Sequence, residues 1–134
     1  LAPALLKTPN TSVIIVSSIR GLKGVPLGGS YAAAKAALNS LTMSLACEWG
    51  EFGVRVNGLL PGPVETDIIK ASIGDDPAPR NKLRDMSPLR RWAVADDCAG
   101  PAVFLAGDDA CHVTGQLLVV DAGLTIQSPE HFAG

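Results

Sequence analysis

Residues 13–38 have the sequence VIIVSSIRGLKGVPLGGSYAAAKAAL, and this stretch decides the fold class. It opens with four consecutive β-branched residues, 13–16, which predict a strand buried on both faces, as in a parallel sheet. Two serines end the strand, and a glycine-rich loop follows. Helical spacing of alanine and leucine then predicts a helix from Gly29 to about Trp49, which Gly50 ends. A buried strand followed by such a helix indicates an α/β protein.

The rest of the chain repeats this alternation. Apolar runs predict strands at 54–60 and 116–121, and helical spacing predicts a helix at 96–106 with a carboxylate near its start. Gly100-Pro101 argues against that helix, because proline is tolerated only near a helix start. Together these elements predict a parallel sheet with right-handed crossovers, in one domain over 1–134. The remaining predictions are a helix tail at 1–9, a short helix at 65–72, a mobile polar segment at 75–79 and a tail at 123–134.

Composition and charge exclude several classes of protein. Hydrophobic residues make up 47% and charged residues 18% of the 134, as in a globular protein rather than a disordered one. The net charge of −2 leaves no basic surface for nucleic acid, and no run approaches the ~18 apolar residues of a membrane span. The cysteines Cys47, Cys98 and Cys111 lack metal-ligand spacing, so we expect free thiols, no metal site and a cytoplasmic location.

Tyr31 and Lys35 form a Tyr-x-x-x-Lys pair in the first turns of the predicted helix. Four residues is just over one helical turn, so the phenol and the ammonium lie on one face. A neighbouring ammonium lowers the pKa of a phenol from its reference near 10, which makes the phenol a usable proton donor and acceptor near neutral pH. The same spacing also occurs in ordinary surface pairs, so the functional interpretation depends on the surrounding residues.

Two further features lie where strands end. Ser18 ends the first strand, and in open parallel sheets ligands bind outside the carboxyl ends of the strands. Its hydroxyl can donate to a carbonyl oxygen that gains negative charge, although Ser17 and Ser18 could also simply terminate the strand. After the second strand, the turn 61–66 has the sequence PGPVET, in which proline fixes the backbone and Gly62 allows a ligand to approach it closely.

Several motifs occur together with these residues and in a fixed order. They are SS at 17–18, YAAAK at 31–35, RVN at 55–57, PGPVET at 61–66, SPLRR at 87–91, FLA at 104–106, VTGQ at 113–116 and VDAG at 120–123. In this combination the chain resembles the short-chain dehydrogenase/reductase superfamily, with similarity to 3-oxoacyl-reductase-like members, over roughly residues 5–125.

The resemblance implies the C-terminal part of a Rossmann-type doubly wound parallel sheet, with about three strands and their crossover helices. It implies a nicotinamide cofactor, NAD or NADP, and hydride transfer to or from a small-molecule carbonyl or secondary alcohol. Tyr31 would be the acid/base, Lys35 would assist it and bind the nicotinamide ribose, and Ser18 would polarise the carbonyl. Asn57 would be structural. The residues implied to contact the cofactor are Tyr31, Lys35, Pro61, Gly62, Val64 and Thr66.

The superfamily's Gly-rich phosphate loop, its NAD-or-NADP selecting residue, its Asn-Ala-Gly segment and its catalytic asparagine are absent from this sequence. We therefore expect this chain to be the C-terminal half of such an enzyme and to be inactive by itself. The complete protein is expected to be a homodimer or homotetramer, since in this superfamily the helix that corresponds to 31–49 packs against its symmetry mate. The alternative is a catalytically inactive, truncated remnant that acts as an interaction or scaffold piece.

Overall fold

The computed structural model describes residues 2–8, 10–24, 26–67 and 77–127. Three parallel strands form one sheet in the order β1-β2-β3, with β1 at Ser12–Val16, β2 at Arg55–Pro61 and β3 at Leu117–Val120. In this register Val13 lies opposite Val56 and Leu59 lies opposite Leu118. The parallel α/β sheet and all three predicted strands are confirmed.

Four helices accompany the sheet in the described residues: α1 at Ala2–Leu5, α2 at Gly29–Trp49, α3 at Pro77–Asp85 and α4 at Ala95–Ala106. Short 3₁₀ turns lie at Ile19–Gly21, Gly50–Phe52 and Asp108–Ala110. The helix predicted after the glycine-rich loop is confirmed, with α2 beginning at Gly29 and ending at Trp49. No helix in the described part of the chain is both long enough and apolar enough to cross a membrane.

The two long helices cover opposite faces of the sheet. Val56 of β2 belongs to the core cluster with Ala46 of α2, and Val13 of β1 packs against it. The neighbouring residue Arg55 instead donates to carbonyl groups at the end of α4, with Nη1 2.8 Å from the Leu105 oxygen. Because consecutive strand residues point to opposite faces, α2 and α4 lie on opposite sides. The sheet therefore has the two-sided cover of a doubly wound fold.

β1 is less buried than predicted. Its residues are half-buried, and Val16 is 56% exposed, whereas the residues of β2 from Val56 to Leu60 are all buried. The prediction of a strand buried on both faces is therefore wrong for β1 within the described residues. The reason is position, since β1 is an outer strand of the described sheet and the long helix α2 packs mainly over β2.

One prediction for the loop regions also needs correction. The polar segment predicted to be mobile ends at 77–79, which instead form the first turn of α3, where proline is tolerated because its missing N–H would have no helical partner. The helix predicted at 96–106 is confirmed as α4, which continues through Pro101. Most of the predicted helix at 65–72 lies outside the described residues, as do 75, 76 and the end of the tail at 128–134.

Asn57 has the structural role that was expected of it. It is fully buried in β2, its Nδ2 donates to the Val113 oxygen at 2.9 Å, and its Oδ1 accepts from the Gln116 N–H at 3.0 Å. Gly115 N–H donates to the Val56 oxygen at 2.7 Å. These bonds fix the chain that leads into β3 against β2.

Candidate active site

The carboxyl end of β1 is joined to α2 by hydrogen bonds that involve a buried serine and a lysine of the helix. Ser17 N–H donates to the Leu59 oxygen of β2 at 2.9 Å, and Ser17 Oγ donates to the Lys35 carbonyl at 2.9 Å. Lys35 Nζ in turn donates to the Val16 carbonyl at 3.2 Å. The strand end and the second turn of α2 are therefore held together by reciprocal bonds, eighteen and nineteen residues apart in sequence.

Gly21 and Asn39 set how closely the loop approaches α2. Asn39 is buried, and its Nδ2 donates to the Gly21 carbonyl at 3.3 Å. A Cβ at Gly21 would lie 2.7 Å from Asn39 Nδ2 and 2.7 Å from the carbonyl carbon of Lys35. The glycine-rich sequence predicts a loop, but it does not indicate that Gly21 is the glycine in close contact with α2.

Tyr31 and Lys35 lie together at the start of α2, as their spacing predicted. The Tyr31 side chain is 47% exposed, and Lys35 Nζ lies 5.6 Å from the centroid of its ring. Since Lys35 also reaches the Val16 carbonyl, its ammonium stands between the phenol and the end of β1. Among the described residues that carbonyl is the one hydrogen-bond acceptor of Lys35, which leaves two ammonium hydrogens available.

Ser18 is buried at the start of the 3₁₀ turn that follows β1. Its Oγ accepts from the Arg20 N–H at 3.2 Å, as a helix-capping serine does. A hydroxyl that accepts in this way keeps its own hydrogen, and among the described residues no acceptor takes it. Ser18 therefore caps the turn that ends the strand, and its hydroxyl still has a hydrogen to donate.

Arg20 is a residue of this region that the sequence motifs do not include. Its guanidinium carbon lies 6.0 Å from the Tyr31 ring centroid, so the phenol has two cations near it. The available signal was its position two residues after Ser18, on the loop that leads to the crevice. Its exposed side chain has no ion pair or hydrogen bond within the described residues.

The turn after β2 lies one strand away from Ser18. Gly62 N–H donates to the Val120 oxygen at 2.9 Å, and a Cβ at Gly62 would meet Asp121 Cβ at 2.7 Å. In the described structure this glycine allows close approach of the backbone at Asp121.

Val64 leaves its main-chain groups free. It forms a parallel bridge with Ala93, in which Glu65 N–H donates to the Ala93 oxygen at 2.8 Å. Neither the N–H nor the C=O of Val64 itself has a partner among the described residues. Thr66, by contrast, already has an interaction within the protein.

A separate recess adjoins this turn at Pro63 and contains none of Ser18, Tyr31 and Lys35. Beside it, Arg91 pairs with Asp97 through Nη1 and Oδ2 at 2.6 Å. The hydrogen bond from Arg91, together with the Val94 N–H, lowers the pKa of Asp97 to about 2. The recess is lined by Pro63, Leu83, Arg84, Ser87, Arg91, Trp92, Ala93, Asp121, Ala122 and Leu124.

Comparison with known proteins identifies the family to which this chain belongs. The family model described as enoyl-(acyl carrier protein) reductase matches residues 1–125. L-rhamnose 1-dehydrogenase (NAD(P)(+)) of Azotobacter vinelandii is 44% identical over 115 residues, which are 86% of this chain and 44% of that protein. Dehydrogenase/reductase SDR family member 4 of Bos taurus is 36% identical over 123 residues, or 92% of this chain and 44% of that protein. The chain belongs to the short-chain dehydrogenase/reductase family.

A solved structure of this family has the same fold. The gluconate 5-dehydrogenase of Burkholderia cenocepacia J2315, in complex with NADP and tartrate, superimposes with a TM-score of 0.89 at 34% identity. The match covers 95% of this chain and 49% of that one. The short-chain dehydrogenase/reductase described here thus spans about half the length of the relatives that it matches.

Proposed function

We propose that Ser18, Tyr31 and Lys35 are the catalytic residues of an NAD(P)-dependent oxidoreductase that interconverts a carbonyl and a secondary alcohol. The observation that carries the proposal is the meeting of three groups at one strand end. The phenol of Tyr31 is half-exposed, the ammonium of Lys35 lies 5.6 Å from its ring, and the Ser18 hydroxyl has a hydrogen to donate. Membership of a family of dehydrogenases and reductases supports the same reaction class.

Tyr31 would supply or accept the proton on the substrate oxygen. A half-exposed phenol can reach a substrate and still exchange protons with solvent. Lys35 would stabilise the negative charge that develops on the phenolic oxygen as the proton leaves, because its ammonium carries the opposite charge. Ser18 would donate to the same substrate oxygen and so fix its position relative to Tyr31.

The residues that would hold a nicotinamide cofactor fit that group. A carboxamide needs one acceptor and one donor, and Val64 has an unpartnered backbone carbonyl and N–H in the described structure. Lys35 has two ammonium hydrogens for ribose hydroxyls. Tyr31, Pro61, Gly62 and Thr66 would complete the contacts. When bound, the cofactor supplies the hydride, which passes directly to or from the substrate carbon.

Named relatives and neighbours that act on a sugar and on a sugar acid support a small hydroxylated substrate. The proposed partners of the protein are accordingly small molecules and, by family resemblance, further copies of itself.

The test is Tyr31→Phe in the full-length protein. Removing a positioned general acid is expected to lower kcat by about 10²- to 10⁴-fold. Binding of NADH and NADPH, followed by fluorescence, should change little, because the ring remains. If the variant turns over an active substrate at a rate close to that of the parent, Tyr31 is not the acid/base and the proposal fails.

A further inference from the structure

In the described part of the chain, two cationic side chains lie beside the Tyr31 ring, and neither forms an ion pair with a carboxylate. Arg20 and Lys35 both lie within 6.0 Å of the ring centroid. The first 47 residues contain four Lys and Arg residues and no Asp or Glu, while all thirteen acidic residues follow. The loop and the helix that form this end of the crevice, 17–35, therefore carry no carboxylate that could neutralise the two cations.

The acidic residues on the neighbouring strand turn do not neutralise Arg20. Glu65 follows β2 at the same edge of the sheet, but it pairs with Arg80 of α3. Asp67 comes two residues later and has an interaction within the protein.

Arg20 also differs from most other arginines of the chain. Arg55 caps the end of α4, Arg80 pairs with Glu65, Arg84 with Asp85, and Arg91 with Asp97. Arg20 has an ordered backbone, since its N–H bonds to Ser18 Oγ at 3.2 Å, but its guanidinium makes no polar contact within the described residues. An exposed guanidinium held beside a catalytic phenol and left without a partner is available for an anion.

We propose that Arg20 is a specificity-determining residue that binds a carboxylate or phosphate group carried by the substrate. This inference rests on the proposed function, since it places the anion near the substrate oxygen on which Tyr31 would act. A guanidinium binds carboxylate and phosphate through two parallel hydrogen bonds, which gives orientation as well as affinity. The substrate would thus be a hydroxy or oxo acid, or a phosphorylated alcohol, rather than a neutral one.

The anion could come from two sources, the substrate or the phosphates of the cofactor. The kinetic test compares gluconate with gluconamide, which share a carbon skeleton and differ in charge, at saturating NAD⁺ or NADP⁺. The full-length protein is compared with Arg20→Gln, and Lys23→Gln is the matched control. Lys23 is exposed on the same loop and undergoes the same change of charge, but it makes no contact with Tyr31.

For Arg20→Gln we expect kcat/KM for gluconate to fall about 10- to 100-fold, as for loss of a charge-assisted pair. Activity with gluconamide and affinity for both cofactors should stay within about two-fold, and Lys23→Gln should resemble the parent. An equal loss with acid and amide would mean a structural role for Arg20. Weaker binding of NAD(P)H would mean that the anion belongs to the cofactor. Either result overturns the proposal.

If the parent protein turns over neither compound, that result counts against the proposed substrate range but not against the anion site. A binding experiment then tests whether Arg20 binds an anion. Tartrate, its diamide and inorganic phosphate are titrated calorimetrically into the parent and the Arg20→Gln protein, each saturated with NADP⁺. The proposal expects tartrate or phosphate to bind the parent at least ten-fold more tightly than they bind Arg20→Gln, and the diamide to bind both alike. No anion binding to the parent, or equal binding to both proteins, overturns it.

Discussion

At the scale of single residues, the candidate site depends on one close backbone contact. Gly21 lies against α2 with no room for a side chain, because an added Cβ would meet backbone atoms of Lys35 and Ala36 at 2.7 and 2.9 Å. The backbone of a long helix is packed on several sides and does not move aside as the end of a flexible side chain does. The turn that follows Ser18 is thereby fixed against the helix that carries Tyr31.

We therefore predict that Gly21→Ala destabilises the full-length protein by about 1–3 kcal/mol, as overpacking does. It should also lower kcat, because the turn that follows Ser18 shifts away from the helix that carries Tyr31. Urea unfolding and steady-state kinetics measure the two effects. Gly24→Ala is the matched control, since a Cβ at Gly24 meets nothing within 4 Å. Equal stability of the two variants would show that the contact at Gly21 is looser than described.

At the scale of elements, a carboxylate in the first turn of α4 forms hydrogen bonds to the residue before the helix and to an arginine of the preceding loop. Asp97 Oδ2 accepts from the Val94 N–H at 2.8 Å, and the same carboxylate pairs with Arg91. A carboxylate in the first turn also interacts favourably with the helix dipole. These interactions explain why α4 forms in spite of Pro101, seven residues into the helix.

The lowered pKa of Asp97 predicts how this stabilisation varies with pH. Its pKa is about 2 in the folded protein, below the ordinary value of 3.8. The Asp97 carboxylate thus binds a proton more tightly in the unfolded state than in the folded state. Its contribution to the stability of the folded protein is therefore complete above about pH 4 and is lost as the pH falls toward 2. Asp97→Asn should lower the melting temperature at pH 7, and the difference from the parent should shrink at pH 3. Asp96→Asn, on the same turn, is the control. A difference that does not depend on pH would contradict this prediction.

At the scale of the whole molecule, α2 has two unlike sides. Asn39, Thr42 and Ala46 are buried against the sheet and the loop. The opposite side is exposed and includes small residues at helical spacing, namely Ala33, Ala37, Ser40, Ser44 and Cys47, together with Leu41 and Glu48. Small side chains allow two helices to approach closely, so this side suits packing against a second copy, as the family resemblance implies.

We predict that the full-length protein is a dimer or tetramer and that Ala37→Arg shifts it toward monomers. A long charged side chain at the centre of the small-residue side would prevent close helix packing and would be costly to bury. Sedimentation velocity measures the change. Asp109→Arg, on an exposed 3₁₀ turn, is the control and carries a larger change of charge. A parent protein that sediments as a monomer would rule out this assembly.

Local patterns in the sequence determined which elements form and which residues share a face. A β-branched run predicted β1, apolar runs predicted β2 and β3, alanine and leucine spacing predicted α2, and four-residue spacing placed Tyr31 and Lys35 on one face. These features depend on neighbours within one or two turns, so composition and period are enough to specify them. The first turn of α3 was missed because closely spaced prolines usually indicate a break, although proline at a helix start has the opposite meaning.

Tertiary structure alone decided the contacts between distant parts of the chain. The exposure of β1 depends on its place at the outer position of the described sheet, and Gly62 is required by Asp121, fifty-nine residues later. The approach of Arg20 to Tyr31 and of Gly21 to Asn39 depends on how the loop folds back on α2. Periodicity in the sequence specifies the face of a helix or strand on which a residue lies, but not the distant residue that it contacts. Those contacts are set only when the helices and strands pack closely against one another.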